Sequence, residues 1–344
     1  MKSEIISYLL CNKEQTESLF NQALKIKLDN VGNKVYLRGL IEYSNICKKN
    51  CYYCGLRNEN NIERYTLTDA EVINAAVYAY ENNFGSIVIQ SGEVQSPLFT
   101  KKITSLLNKI NEKTNNKLGI TLSLGEQTKD TLHQWKENGA IRYLLRIETS
   151  NNKLYNKIHP NDTFHSFNDR IKVLDTLKEL GYQVGTGIMI GLPFQTIDDL
   201  ANDIIFFKQN DIDMIGMGPY LEHSNTPFYN YDNSFTLKDR FDLTIKMIAI
   251  TRINMPTINI AATTALQTID QQGREKAIKV GANIIMPNVS PIEHRKDYLP
   301  YNNKVCIEDT ADKCMNCINN RIISTNSEIG FGEQGNSLHF INRI

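Results

Sequence analysis

Six of the seven cysteines fall into two tight triplets, and the first triplet has the spacing of a catalytic metal loop. Cys47, Cys51 and Cys54 lie C-x3-C-x2-C within EYSNICKKNCYYCGL. Three thiolates on one short loop can bind three irons of a 4Fe–4S cube, which leaves the fourth iron open to a small molecule. Zinc is the other occupant such a loop can serve. Zinc sites usually draw four protein ligands, however, and no fourth Cys or His lies near this loop. The second triplet, Cys306, Cys314 and Cys317, reads C-x7-C-x2-C. It can take a second iron–sulfur cluster (2Fe–2S or 4Fe–4S) with one open position, or zinc with a fourth ligand such as His294. Cys11 stands alone and reads as a small buried hydrophobe.

A loop of this kind needs a scaffold to aim it. Apolar, β-branched runs recur at 39–45, 86–91, 118–124, 141–147, 183–190, 213–217, 257–262 and 282–286. Stretches with helical spacing lie between them, at about 68–83, 98–114, 127–138, 164–180, 196–209, 236–254 and 267–280. Thr68 and Glu71 form a capping box ahead of VINAAVYAY. Eight strands alternating with helices predict an α/β fold with a parallel sheet, closed as a TIM-type (β/α)8 barrel. A doubly wound open sheet is the competing layout. The expected organisation is a helical N-terminal extension (1–38), the barrel (39–290) and a C-terminal extension carrying the second cysteine triplet (291–344).

Lys plus Arg and Asp plus Glu both number 38, so a neutral chain gives no electrostatic case for nucleic acid as partner. No apolar run reaches transmembrane length, and the opening MKSEIISYLLCNKEQ reads as an amphipathic helix. The expectation is a cytoplasmic protein that avoids the membrane. A closed barrel has no sheet edge left to pair, so a monomer is expected.

The strand ends carry the remaining candidates. Arg146 and Glu148 alternate with apolar residues in YLLRIET. Charges inside a barrel must be paired or ligand-bound, so the two form either an internal salt bridge or part of a site at the catalytic rim. Thr263 and Thr264, in AATTALQT, can bind an anion at a strand end or cap the following helix. Arg274 adds a positive neighbour for such an anion.

The cysteine loop resembles that of the radical S-adenosylmethionine (SAM) superfamily. More narrowly, IEYSNICKKNCYYCGLR is similar to the FeFe-hydrogenase maturases of the HydE family, with biotin synthase and methylornithine synthase as near relatives. QSGE, TLSLGE, YLLRIET, IMIGLP, DIDMIGMGP, AATTALQT and GANIIMPN extend the likeness from about residue 35 to 317.

This resemblance implies that SAM fills the open iron of a 4Fe–4S cluster, whose electron cleaves SAM to a 5′-deoxyadenosyl radical. It implies that Tyr53 packs near the adenine and that Gln90, Ser91 and Glu93 hold the SAM amino group. Arg170 binds the carboxylate, and Ser123 and Glu148 also contact SAM. Met189 belongs to the adenine-binding glycine motif, and Met214 lies beside SAM. Arg146 faces the substrate, and the second triplet holds an accessory cluster. Ser91, Ile147 and Phe194 depart from the commoner residues at their positions.

The implied activity is assembly of the diiron subsite of FeFe hydrogenase. The substrate is a small organometallic iron–carbonyl–cyanide unit carrying cysteine. A flavodoxin- or ferredoxin-type donor supplies electrons, and other hydrogenase maturases act as partners. The alternatives are an amino-acid mutase like methylornithine synthase, or an iron–sulfur carrier. Biotin synthase carries cluster cysteines on its barrel strands, and this chain has no cysteine between Cys54 and Cys306.

Overall fold

The computed structural model describes residues 1–343; the side chains of residues 311–314 and 316 lie outside the described set. Eight parallel strands close into a barrel: β1 (Lys34–Ser44), β2 (Ser86–Ser91), β3 (Gly119–Ser123), β4 (Ala140–Leu144), β5 (Gln183–Ile190), β6 (Met214–Pro219), β7 (Asn259–Ala262) and β8 (Ile284–Ile285). Each pairs with the next, and β1 pairs with both β2 and β8. The chain is therefore a (β/α)8 barrel of the TIM type, and the open-sheet alternative is excluded.

Hydroxyl caps set the phase of the outer helices. Thr68, Thr196 and Thr236 each form a capping box with the acidic residue three positions on. Ser96, Thr128 and Ser166 cap three more helices. Each cap gives an orphan amide of the first turn an acceptor, typically worth about 1 kcal/mol. Ser96, Thr128 and Thr196 lie five or six residues after their strands, so there the chain turns into its helix close to the rim where the site is built.

Two strand ends differ from the sequence pattern. β1 begins at Lys34, five residues before the apolar run at 39, because Lys34, Tyr36 and Arg38 break that run with polar side chains. β4 stops as a regular strand at Leu144, three residues short of the expected end at 147. Two N-terminal helices, Lys2–Leu10 and Lys13–Val31, pack outside the barrel. Lys27 is buried there and donates to the Ile278 carbonyl at 2.9 Å.

The last segment folds under the barrel. A short ninth strand, β9 (Glu328–Ile329), pairs in parallel with the start of β1. Beyond it, the Gly335 carbonyl accepts from Arg38 at 3.1 Å and from Asn259 at 2.8 Å. Arg142 donates to the Gln334 carbonyl and to Asn336 Oδ1, both at 2.7 Å. The Gly, Ser and Asn residues of the C-terminal extension thus close the N-terminal end of the barrel and leave the C-terminal end as its mouth. Among the described residues, no helix is long and apolar enough to cross a membrane.

Candidate functional site

A cavity of about 350 Å³ opens at the C-terminal ends of the strands, within the range of small-molecule sites. Cys47, Cys51 and Cys54 line it, on the loop that follows β1. The end of β2 lies directly against that loop. A Cβ on Gly92 would sit 2.3 Å from the Ile46 carbonyl oxygen and 2.8 Å from Cys47 Cβ, so only glycine allows the contact. The Cys47 sulfur accepts the amides of Lys49 (3.4 Å) and Glu93 (3.3 Å).

The donor set itself tests which group fits here. Burial pushes all three thiols up, Cys54 to about 12 and Cys51 well above its ordinary value, and neighbouring thiols add to both. Three half-buried thiolates this close together call for a compensating multivalent cation, and a metal cluster reverses this balance by binding the deprotonated form. The donor set therefore suits a multivalent metal group, an iron–sulfur cluster among them.

Next to the thiols lies an ionic lattice. Arg170, with its side chain 10% exposed, binds Glu93 Oε1 at 2.7 Å and Glu126 Oε1 at 2.6 Å. Its Nε also donates to the Arg146 carbonyl at 2.5 Å. Lys49 joins from the cysteine loop, 3.1 Å from Glu126 and 3.8 Å from Glu93. Burial alone would push the Glu93 carboxyl up; Arg170, Lys49 and the hydrogen bonds outweigh it and hold the group at about 2.

Arg146 and Glu148 meet as a bidentate pair, Nε–Oε1 and Nη2–Oε2 both at 2.8 Å. Both line the cavity, so the salt bridge and the rim position hold together. They stand beyond the regular end of β4 on a bulge, where the amides of Ile147 and Glu148 share the Gly187 carbonyl at 3.0 Å each.

Gln90, Ser91, Ser123, Met189 and Tyr53 also line the cavity. Gln90 donates to the Tyr298 hydroxyl at 3.0 Å, and Ser91 to the Gly92 carbonyl at 2.7 Å. Thr263 and Thr264 stand on the opposite wall. The Thr263 hydroxyl caps no helix and donates instead to the Met217 carbonyl at 3.1 Å, while Thr264 shares a hydrogen bond with Tyr301 at 3.2 Å.

Met214 is a correction. It opens β6 and so lies at the end of the strand away from the mouth. Its sulfur accepts from Arg38 at 3.0 Å, and it lines a smaller, deeper cavity of about 100 Å³. A residue at the start of a barrel strand does not reach the rim built from strand ends.

The second cysteine triplet is only partly visible. Cys306 lines the cavity mouth, where its sulfur accepts from Arg274 at 3.4 Å. Cys317 is exposed on the helix Ala311–Ile323 and accepts from Arg321 Nε at 3.1 Å. The Cys314 side chain lies outside the described residues. His294 stacks on Tyr65 with ring centres 4.6 Å apart, and its Nε2 is 3.4 Å from Glu71.

Sequence reasoning assigned no role to Lys49, Glu126, Glu42 or Lys304. The last two form a buried ion pair at 2.5 Å on the cavity wall, and Asn288 also donates to Glu42 at 2.9 Å. Lys49 and Glu126 lay inside motifs already singled out. The Glu42–Lys304 pair spans most of the chain and left no local signal.

Comparison with known proteins follows the same line. Residues 41–207 match the radical SAM superfamily model. The chain is 45% identical over 303 residues to the FeFe-hydrogenase maturase subunit HydE of Thermotoga maritima, covering 88% of this chain and 84% of that protein. A solved structure of methylornithine synthase (PylB) superposes with a TM-score of 0.82 at 24% identity, over 96% of this chain and 94% of that one. One of HydG, a maturase of FeFe hydrogenase, gives 0.79 at 18% identity, over 100% and 76%. At these identities the two structures bear on the fold alone.

Proposed function

Because this chain belongs to the radical SAM superfamily and, within it, to the HydE family of FeFe-hydrogenase maturases, we propose that Cys47, Cys51 and Cys54 hold the 4Fe–4S cluster that the family implies. When bound, that cluster supplies the electron that cleaves SAM to a 5′-deoxyadenosyl radical. One observation carries the assignment: a carboxylate and a guanidinium, Glu93 and Arg170, lie paired beside the three thiols. The amino-acid end of SAM carries the complementary ammonium and carboxylate. Glu93, with Gln90 and Ser91, receives the ammonium; Arg170, with Ser123, receives the carboxylate. Tyr53 and Met189 flank the adenine, Glu148 completes the SAM contacts, and Arg146 faces the substrate. Pairing before SAM arrives keeps both groups charged and aimed, which lowers the cost of ordering them on binding.

The substrate is a small iron–carbonyl–cyanide unit carrying cysteine, passed on by another maturase and converted toward the diiron subsite. The arginines and the Thr263–Thr264 pair on the cavity wall support an anionic, cyanide-bearing guest. A flavodoxin- or ferredoxin-type protein delivers the electron in the reducing cytoplasm, and the chain works as a monomer. Cys306, Cys314 and Cys317 form an accessory cluster site that the chemistry does not require.

Anaerobic reconstitution with iron, sulfide, SAM and dithionite is expected to yield 5′-deoxyadenosine; its absence would reject the radical SAM assignment. Expression of a hydrogenase with the other maturases is expected to give active enzyme only when this chain is present. Equal activity without it would reject the maturation role.

A further inference from the structure

An ion pair on the cavity wall, Glu42–Lys304, has no part in the reading above. Glu42 lies near the end of β1, five residues before Cys47. Lys304 reaches it at 2.5 Å from the segment 298–306, which borders the mouth without helix or strand. The two side chains are 2% and 8% exposed, yet both line the cavity. Such a pair is a poor stabiliser, because the desolvation of two charges offsets most of their attraction. A few converging charges on the wall of an otherwise apolar cavity are instead what orients a polar guest.

The pair is loosely closed. Lys304 meets Glu42 through one oxygen, and the other oxygen accepts from Asn288 at 2.9 Å. Lys304 also donates to the Tyr298 carbonyl at 2.8 Å. One of its three ammonium hydrogens is left without a partner among the described residues. Arg146 differs: it grips Glu148 with both arms and donates to the Gly216 and Ile188 carbonyls besides. A bidentate grip is the stronger and more rigid of the two. Glu42 and Lys304 are therefore the pair that a guest opens with the smaller loss.

The proposed reaction brings two amino-acid ends into one cavity. Glu93 and Arg170 receive the ammonium and carboxylate of SAM. A substrate carrying cysteine adds a second ammonium and a second carboxylate, which need a second carboxylate and a second cation. We propose that Lys304 binds the carboxylate and Glu42 the ammonium of the substrate's cysteine, so that this pair is the substrate's amino-acid subsite. Tyr301, three residues before Lys304, shares a hydrogen bond with Thr264 at 3.2 Å, so the subsite adjoins the threonine pair that faces the cyanide-bearing end. The inference rests on the reading of the substrate as cysteine-bearing and of Glu93 and Arg170 as the SAM subsite.

The test is calorimetric titration of the reconstituted, SAM-loaded, full-length protein, with its cluster kept oxidised so that SAM stays intact. Three probes are compared. L-Cysteine carries both groups, 2-aminoethanethiol lacks the carboxylate, and 3-mercaptopropionate lacks the ammonium. The thiol is common to all three, so its own contribution cancels. Wild type is expected to bind cysteine about ten- to a hundredfold more tightly than either trimmed probe, the worth of one charged hydrogen bond. Lys304→Met is expected to bind cysteine and 2-aminoethanethiol alike, while still favouring cysteine over 3-mercaptopropionate. Glu42→Gln is expected to do the converse, and it decides the matter alone if Lys304→Met fails to load its cluster. A merely structural pair would weaken all three probes together. Equal weakening, or a wild type that binds SAM but does not favour cysteine, overturns the proposal alone. A wild type that binds no SAM overturns the Glu93–Arg170 reading and the proposal with it.

Discussion

Replacing Arg170 with methionine removes the hub of the ionic lattice and leaves a side chain of similar reach. Glu93 keeps Lys49 at 3.8 Å and the Glu126 amide at 3.2 Å, and the two carboxylates Glu93 and Glu126 lose the guanidinium between them. Depression of the Glu93 carboxyl from its ordinary 4.5 to about 2 corresponds to about 3 kcal/mol at neutral pH. Breaking a buried pair by removing one partner typically costs about 3–5 kcal/mol, so the two routes agree. The pH dependence has a definite sign. A carboxyl whose folded value is depressed stabilises the fold above its unfolded value and loses that contribution as pH falls toward the folded value. Wild type should therefore exceed Arg170→Met by about 3–5 kcal/mol at pH 7 in urea unfolding of the metal-free proteins. The gap should narrow by about 0.8 kcal/mol by pH 4 and continue closing toward pH 2. A gap that stays constant from pH 7 to pH 4 would refute the argument that Glu93 ionisation is its source. The same variant should bind SAM about ten- to a hundredfold more weakly, the worth of one charged hydrogen bond. Calorimetry on the reconstituted protein showing unchanged affinity would remove Arg170 from the SAM site.

Asp203 makes the opposite pH prediction. It is fully buried, its Oδ1 takes two bonds from Ser150, and its Oδ2 has no hydrogen-bond partner. Burial pushes its carboxyl up to about 7 despite those bonds, so it costs stability as pH rises from about 4 through 7. Asp203→Asn should therefore raise stability by about 4 kcal/mol at pH 8 and change little at pH 4, measured by thermal unfolding. Ending the chain at Phe331 removes the carbonyls that Arg38 and Arg142 use, and both guanidiniums already have unpartnered nitrogens. Hydrogen exchange of the β3 and β4 amides should then speed up while the cysteine loop at the other end stays as protected as before; equal protection in β3 and β4 would show that the tail does not close the barrel.

What was legible in the sequence depended on how far apart the cooperating residues lie. The cysteine loop could be read because three ligands fall within eight positions and their spacing is itself the chemistry. The barrel could be read because each strand is an apolar run and six of the outer helices open on a hydroxyl cap. Arg170 is 77 positions from Glu93, and Lys304 is 262 from Glu42, so no local pattern announces either pair. Only the resemblance pointed to Arg170, and nothing pointed to Lys304. Met214 shows the converse. Its motif was recognised, but the direction of β6 puts the methionine at the closed end, and strand direction outweighs motif membership. The role of the tail was hidden for a physical reason as well. Its small polar residues look like solvent-exposed chain, yet their carbonyls are the partners that two buried arginines need.

The bulge after β4 explains why the rim charges can exist at all. Glu148 adopts φ +62, a left-handed conformation that costs a residue with a Cβ about 1–2 kcal/mol. It is held there by the Met189 amide, which donates to its carbonyl at 3.1 Å, and by both arms of Arg146. Arg146 in turn reaches across the barrel to the Gly216 carbonyl at 2.9 Å and the Ile188 carbonyl at 2.8 Å. That path is open only because β5 carries glycine at 187. A Cβ there would lie 2.6 Å from Arg146 Nη1 and 2.3 Å from the Gly216 carbonyl oxygen. Arg146 therefore depends on a glycine in the strand leading to IMIGLP, the motif read for adenine binding. An alanine at 187 would displace the guanidinium, release the carboxylate that it holds, and leave the strained turn at Glu148 without its clamp. The wall that carries Arg146 and the strand that leads to Met189 are thus joined through one missing methyl group, and neither can be altered at this point without moving the other.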